Sequence, residues 1–187
     1  MYVQRVVLKI LSATGECLIF AKSGAEEITE KMIFSIDTNR AIEINNIVFD
    51  FNGTIALDGF LIDGIKEKIF ELHYQGVNIY ILTADTFGTV KEQCKDLPVK
   101  IEIINSENGT AEKKNIIETL GSSATAAIGN GRNDLEMFKS SILSIAVIGK
   151  EGCCTKAMFE ADIVVCNIID AIDILLKNKR LKATMRT

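Results

Sequence analysis

From residue 47 onward, short apolar runs take turns with amphipathic segments, and that alternation restricts the chain to very few folds. The runs at 47–51, 77–82, 99–104, 125–128, 143–147 and 163–165 are brief and nearly all apolar, as strands covered on both faces are. Between them, 62–74, 87–94, 111–120, 134–140, 155–160 and 168–176 carry apolar residues at helical spacing. Strand–helix–strand repeats of this kind build parallel sheets with right-handed crossovers. The expected fold is α/β, a three-layer, doubly wound (Rossmann-like) parallel sheet. Ahead of it, 32–36 and 41–44 flank Asp37-Thr38-Asn39-Arg40 and predict a short β-hairpin.

The 187 residues suffice for one domain with a substantial core, expected over 32–187. Residues 1–31 fit the pattern poorly: 23–30 is polar, and Met32 could itself be a start, so a peripheral N-terminal extension is expected there. With 48% apolar and 25% charged residues and a single proline, the chain reads as globular rather than disordered. A net charge of -4 gives no basic footprint for nucleic acid. The apolar patch at 6–11 is interrupted by Lys9 and is too short to span a bilayer or serve as a signal peptide. Five cysteines (Cys17, Cys94, Cys153, Cys154 and Cys166) lack any C-x-x-C or zinc spacing and read as reduced thiols. A cytoplasmic protein with neither nucleic acid nor membrane as partner is the expectation.

Four elements carry chemistry. In I-V-F-D-F-N-G-T an apolar run stops at Asp50, so a carboxylate stands at a strand end, where α/β sheets bind ligands. Such a group can attack phosphorus or ligate a hard cation. Asn52 lies two residues on, where a second carboxylate might be expected. Thr83, in I-L-T-A-D, can bind a phosphate oxygen through its hydroxyl together with the backbone N–H groups that follow it; it can equally serve as an N-cap. Lys113 is spaced to share the inward helix face of Ile116, Ile117 and Leu120, whereas Lys114 turns away. An inward lysine needs an anionic partner. G-N-G-R-N-D, residues 129–134, offers a tight turn with oxygens from Asn130, Asn133 and Asp134, either for a cation or as a helix cap. These are the parts a magnesium-dependent phosphoryl transfer requires. His73, Asp58, Asp63 and Asp85 read as surface, turn and cap residues, and Lys177, Lys179, Arg180, Lys182 and Arg186 as a solvated basic helix end.

In combination these motifs resemble the haloacid dehalogenase-like superfamily, and within it soluble proteins similar to the phosphorylation core of P-type ATPases. D-F-N-G-T stands where the superfamily has D-x-D-x-T or D-K-T-G-T, T-A-D where it has T-G-D, and G-N-G-R-N-D where it has G-D-G-x-N-D. The resemblance runs from about residue 32 to the C-terminus. It implies that Asp50 forms an aspartyl-phosphate, that Thr83 and Lys113 hold the phosphoryl oxygens, and that Gly53, Ala84 and Asn133 line the phosphate site. It further implies a Mg²⁺ bound by Asp50, the backbone carbonyl of Asn52, Asn130 and Asp134, with Gly53 and Thr54 shaping the loop after the nucleophile.

Two carboxylates of that pattern are amides here. Asn52 replaces the general acid and base of the superfamily's phosphatases, a function typically worth ~10²–10⁴ in rate. Asn130 keeps a carbonyl oxygen for the metal and implies weaker binding. The expectation is a slow phosphohydrolase with a phosphorylated substrate. The alternative is a weak or inactive regulatory, partner-binding relative of the ATPase phosphorylation domain. About thirty residues separate Asp50 from Thr83 and Thr83 from Lys113, room for one α/β unit each and none for a cap domain. An open site of this kind predicts a homo-oligomer that covers it.

Overall fold

The computed structural model describes residues 6–11, 17–22, 32–35, 41–84, 89–105 and 107–186. The turn expected at Asp37-Thr38-Asn39-Arg40, the polar stretch 23–30 and Asp85 lie outside the described residues. Strands β1 (Val6–Leu11) and β2 (Cys17–Lys22) pair antiparallel, a hairpin the sequence reading did not anticipate. Strands β3 (Met32–Ser35) and β4 (Ala41–Ile44) form the second, expected hairpin.

The core opens with β5 (Asn46–Asp50), a two-residue-stranded hairpin of β6 (Ala56–Leu57) and β7 (Phe60–Leu61), and α1 (Ile65–Tyr74). Next come β8 (Asn78–Thr83), α2 (Thr89–Gln93), β9 (Lys100–Ile103) and α3 (Gly109–Leu120). The second half runs β10 (Thr125–Gly129), α4 (Leu135–Ser140), β11 (Leu143–Val147), α5 (Thr155–Glu160) and β12 (Ile163–Val165). Helices α6 (Ile168–Leu176) and α7 (Asn178–Met185) follow. Only the β6–β7 hairpin and α1 separate β5 from β8, so no domain is inserted there.

Six strands make one parallel sheet in the order β12-β11-β10-β5-β8-β9. Strand alternation sorts its side chains into two cores. Ile47 and Phe49 pack on the α1 and α6 side with Ile65, Ile69 and Ile172, while Val48, Ala127 and Ala146 pack on the other with Ile117, Met137 and Ala157. That division is the three-layer architecture expected from the sequence. Central strands β5, β10 and β11 are buried at every position. The expectation of two covered faces fails for β9, where Lys100, Glu102 and Ile103 are exposed, because β9 is an edge strand with a partner on one side only.

Helix α6 starts where Asn167 accepts a hydrogen bond from the Asp170 backbone N–H, an N-cap contact worth about 1 kcal/mol. The basic residues after it are exposed, as expected, and two of them have an acidic partner. Asp173 pairs with Lys177 and Arg180, and with Lys68 from α1, while Leu181 is buried. No described helix is long and apolar enough to cross a membrane.

The chain leaves β5 toward β8 and β9, then returns to β10 on the other side. The crevice between the ends of β5 and β10 is thus the topological switch point, where open α/β sheets bind ligands. Asp50 ends β5, and the 129–134 turn leaves β10.

Candidate active site

Parallel pairing sets the positions. Asp50 is opposite Leu82 on β8, and Phe49 is opposite Ile128 on β10, so the carboxylate emerges between the Thr83 and Asn130 strand ends. Helix α3 crosses this side of the sheet with Gly109, Lys113 and Ile117 facing inward. Lys113 is completely buried, and its Nζ lies 2.5 Å from Asp50 Oδ1 and 2.5 Å from Asp134 Oδ1. Lys114 is partly exposed and pairs with Glu118 at 3.6 Å.

The second oxygen of Asp134 is also engaged. Asp134 Oδ2 accepts from the backbone N–H groups of Asn130 (2.9 Å) and Gly131 (2.7 Å), which locks the turn. Gly129 lets this happen, since a Cβ there would lie 2.4 Å from Asp134 Oδ2. The turn after β5 is tied to the same place. Thr54 Oγ1 lies 3.3 Å from Asp50 Oδ2 and 3.1 Å from Asn130 Oδ1, and its one proton serves either acceptor. Asn130 Nδ2 donates to the Gly152 carbonyl at 3.0 Å, and the Cys154 N–H donates to the Asn130 carbonyl at 2.8 Å. Because a carbonyl only accepts, the Gly152 contact fixes which end of the amide is which.

Gly53 shows how closely these loops meet. Its φ is 80°, and a Cβ there would stand 2.3 Å from Asn130 Nδ2. Gly53→Ala is therefore expected to lower stability by about 1–3 kcal/mol through overpacking. A urea melt checks this, and a change within a few tenths of a kcal/mol would mean that the contact relaxes freely.

Two buried carboxylates share one ammonium, which leaves one surplus negative charge. Burial pushes the Asp50 carboxyl up to about 7, with Asp134 adding to the rise and Lys113, together with the Thr54 hydroxyl, opposing it. Burial works against the Lys113 charge, but the two carboxylates outweigh it and hold the ammonium above its ordinary value. Lys113 is a fixed cation, not a proton carrier.

The other predicted residues divide. Thr83 is buried at the end of β8, one position past the partner of Asp50. Ala84 and Asn133 line a hollow of about 360 Å³ with residues 108–111 at the start of α3. Asn52 is exposed and its side chain bonds to no described residue. Sequence reasoning gave Thr54 only a loop-shaping part and missed the Gly152 contact with Asn130. The hydroxyl four residues after Asp50 was a signal for the first; nothing local marks a carbonyl 22 residues from Asn130. Among the described residues no three His, Cys, Asp or Glu side chains group as a metal cluster. A cation here takes at most two carboxylates plus amide and backbone oxygens, a donor set of the kind that magnesium accepts when a phosphate completes it.

No family model matches the sequence. Over 150 residues, 78% of this chain and 55% of the relative, it is 28% identical to the soluble P-type ATPase-like phosphatase of Methanocaldococcus jannaschii. A 60-residue stretch, 32% of this chain and 64% of the relative, is 53% identical to an uncharacterized protein of the same organism. The chain thus spans less than two thirds of these curated relatives. Among solved structures, a HAD family hydrolase from Streptomyces avermitilis superposes with TM-score 0.57 at 22% identity, covering 72% of this chain and 84% of that one. This is the haloacid dehalogenase-like fold. A second HAD-like neighbour, the 3-deoxy-D-manno-octulosonate 8-phosphate phosphatase of Moraxella catarrhalis in complex with magnesium and phosphate, superposes with TM-score 0.61 at 17% identity. The match covers 76% of this chain and 94% of that HAD-like chain, so the core accounts for nearly all of the neighbour.

Proposed function

We propose that this chain is a Mg²⁺-dependent phosphohydrolase that works through an aspartyl-phosphate on Asp50 and turns over slowly because position 52 is an amide. The observation that carries the reading is the buried Asp50–Lys113–Asp134 trio at the switch point of the sheet. The M. jannaschii relative and the phosphatase fold support it.

In this reading Asp50 Oδ2, the oxygen free of Lys113, attacks phosphorus. A bond forms from Oδ2 to phosphorus, the bond to the leaving-group oxygen breaks, and its electron pair departs with that oxygen. Lys113 holds Asp50 in position through Oδ1 and offers a fixed positive charge to the phosphoryl group as charge develops. Thr54 keeps the attacking oxygen turned toward the turn and away from free rotation. Asp50, the Asn52 backbone carbonyl, Asn130 Oδ1 and Asp134 would hold a Mg²⁺, which would supply Lewis-acid stabilisation of the phosphoryl oxygens. With Oδ2 of Asp134 taken by two N–H groups, that residue contributes through the remaining lone pair of Oδ1 or through water. The surplus negative charge of the trio is what suits the site to a cation.

Asn52 can neither protonate the leaving oxygen nor take a proton from water. Leaving groups must therefore depart as stable anions, and hydrolysis of the phosphoenzyme lacks a base. Asn52→Asp is expected to raise kcat by about 10²–10⁴. Steady-state assays with Mg²⁺ on a panel of phosphate esters and acyl phosphates test this; an unchanged rate would place the limitation elsewhere. A homo-oligomer covering the open mouth belongs to the same reading, and a strict monomer at micromolar concentration in sedimentation would remove it.

One observation favours a second reading, a regulatory protein with a weak site. Both ends of the Asn130 amide are engaged, by Thr54 and Gly152, so this side chain ties two loops together whether or not it meets a metal. No turnover by wild type and no label on Asp50 would select that reading.

A further inference from the structure

We propose that the apolar cavity beside the nucleophile turn receives the leaving group, and that the preferred substrates are aryl phosphates; this rests on the phosphohydrolase reading above. The cavity has a volume of about 480 Å³, within the ordinary range for small-molecule sites. Leu57, Phe60, Leu61, Val147, Ile168 and Ile169 give it an apolar lining, to which Asp63, Lys150 and Glu151 add charged groups. It sits at the ends of β11 and β12, on the same edge of the sheet as Asp50.

Two features join this cavity to the reaction. Its wall includes Gly53, which packs closely on Asn130, and Thr54, whose hydroxyl lies 3.3 Å from Asp50 Oδ2. The β6–β7 hairpin that roofs it is held in place. The Asp58 N–H donates to Glu151 at 3.0 Å and the Leu61 N–H donates to Gln93 at 3.2 Å, so the cavity is formed before a ligand arrives. Preformed apolar walls gain affinity because less order is lost on binding.

The chemistry of position 52 selects the ligand class independently. Without a general acid, the oxygen that leaves phosphorus must be a weak base, as a phenolate is and an alkoxide is not. An aryl group meets both demands: it is a stable leaving anion and a flat apolar body that a cavity of this size holds. No proton has to be supplied by the protein in that step, since the phenolate departs with the electron pair and is protonated by water.

The test compares 1-naphthyl phosphate with acetyl phosphate, whose leaving group is also weakly basic but too small to fill the cavity. Wild type is expected to show a KM for 1-naphthyl phosphate at least tenfold below that for acetyl phosphate. Leu57→Trp and Cys166→Trp, at two residues that line the cavity, are expected to raise KM for 1-naphthyl phosphate at least tenfold more than KM for acetyl phosphate. In parallel, 1-naphthol is titrated into methyl-labelled Asp50→Asn protein, and shifts are expected at the methyl groups of Leu57, Ile168 and Ile169. Equal effects on both substrates, or unshifted methyl groups, would overturn the proposal. If acetyl phosphate leaves Asp50 of wild type unlabelled, the phosphohydrolase reading falls, and the 1-naphthol titration alone then decides whether the cavity takes an aryl group.

Discussion

Lys113→Met is expected to destabilise the metal-free protein by about 3–5 kcal/mol at neutral pH, the cost of breaking a buried pair from one side. The substitution keeps most of the volume and removes the cation that, among the described residues, alone bonds to Asp50 and Asp134, both of which stay buried. The deficit should shrink as pH falls. Lys113 opposes the rise of the Asp50 carboxyl to about 7, so without it Asp50 keeps its proton to higher pH than in wild type, and that proton replaces part of the lost compensation until it is released. Urea melts at pH 5 and pH 8 read this directly, and a deficit that is the same at both would show that lost packing, not charge, is the cause. Lys114→Met is the contrast: its pair with Glu118 is exposed, and such a pair is worth at most about 0.5 kcal/mol. Phosphoryl transfer by Lys113→Met, measured in excess Mg²⁺ at a temperature where the variant is folded, should fall by roughly 10²–10³, as when one preorganised electrostatic contact is removed.

Asp50→Asn carries the second large effect, and it moves activity and stability in opposite directions. Removing the nucleophile is expected to reduce phosphoryl transfer by about 10³ or more. Stability behaves otherwise. In the unfolded chain the carboxyl titrates near 3.8, and in the fold near 7, so between these values the native state holds a proton that the unfolded state has released. The stabilising contribution is complete below 3.8 and is lost as pH rises through about 7. Metal-free wild type should therefore weaken over that window by up to roughly 4 kcal/mol, and Asp50→Asn should not. The variant is expected to be more stable than wild type at pH 8 by part of that amount, because one hydrogen bond to Lys113 is weakened in exchange. Saturating Mg²⁺ should raise the Tm of wild type more at pH 8 than at pH 5, and raise that of the variant little. A variant that melts below wild type at pH 8 would contradict the charge account.

Much of the fold can be seen in the sequence because its driving forces are local and periodic. The stretches 47–49 and 79–82, just before Asp50 and Thr83, are apolar since both faces of the central sheet are covered, and the helices show their phase through Ile65, Ile69 and Leu72 or Ile168 and Ile172. The direction in which Lys113 faces follows from the same helical arithmetic. What cannot be seen has no period. The two-residue strands β6 and β7 are too short for alternation to register, and the charge run around the start of helix α7 does not announce that Lys177 and Arg180 gather on Asp173.

The site shows the same division. Asp50, Thr83, Lys113 and Asp134 are marked by their places at strand ends and on a helix face. The ties that hold them depend on tertiary closure: Thr54 between Asp50 and Asn130, and Asn130 against Gly152. From the sequence, Asn130 is a carboxylate replaced by a weaker ligand. In the fold its Nδ2 makes a bond to a carbonyl that an aspartate cannot make, so the amide has a structural reason of its own.

The central claim is that Asp50 accepts a phosphoryl group, and acid-quench trapping tests it most directly. Wild type, Asn52→Asp and Asp50→Asn are incubated with ³²P-labelled acetyl phosphate and Mg²⁺, quenched in acid and treated with hydroxylamine. The prediction is an acid-stable, hydroxylamine-labile label on wild type, a shorter-lived one on Asn52→Asp and none on Asp50→Asn. A label that persists in Asp50→Asn, or that never forms on wild type, would contradict the account.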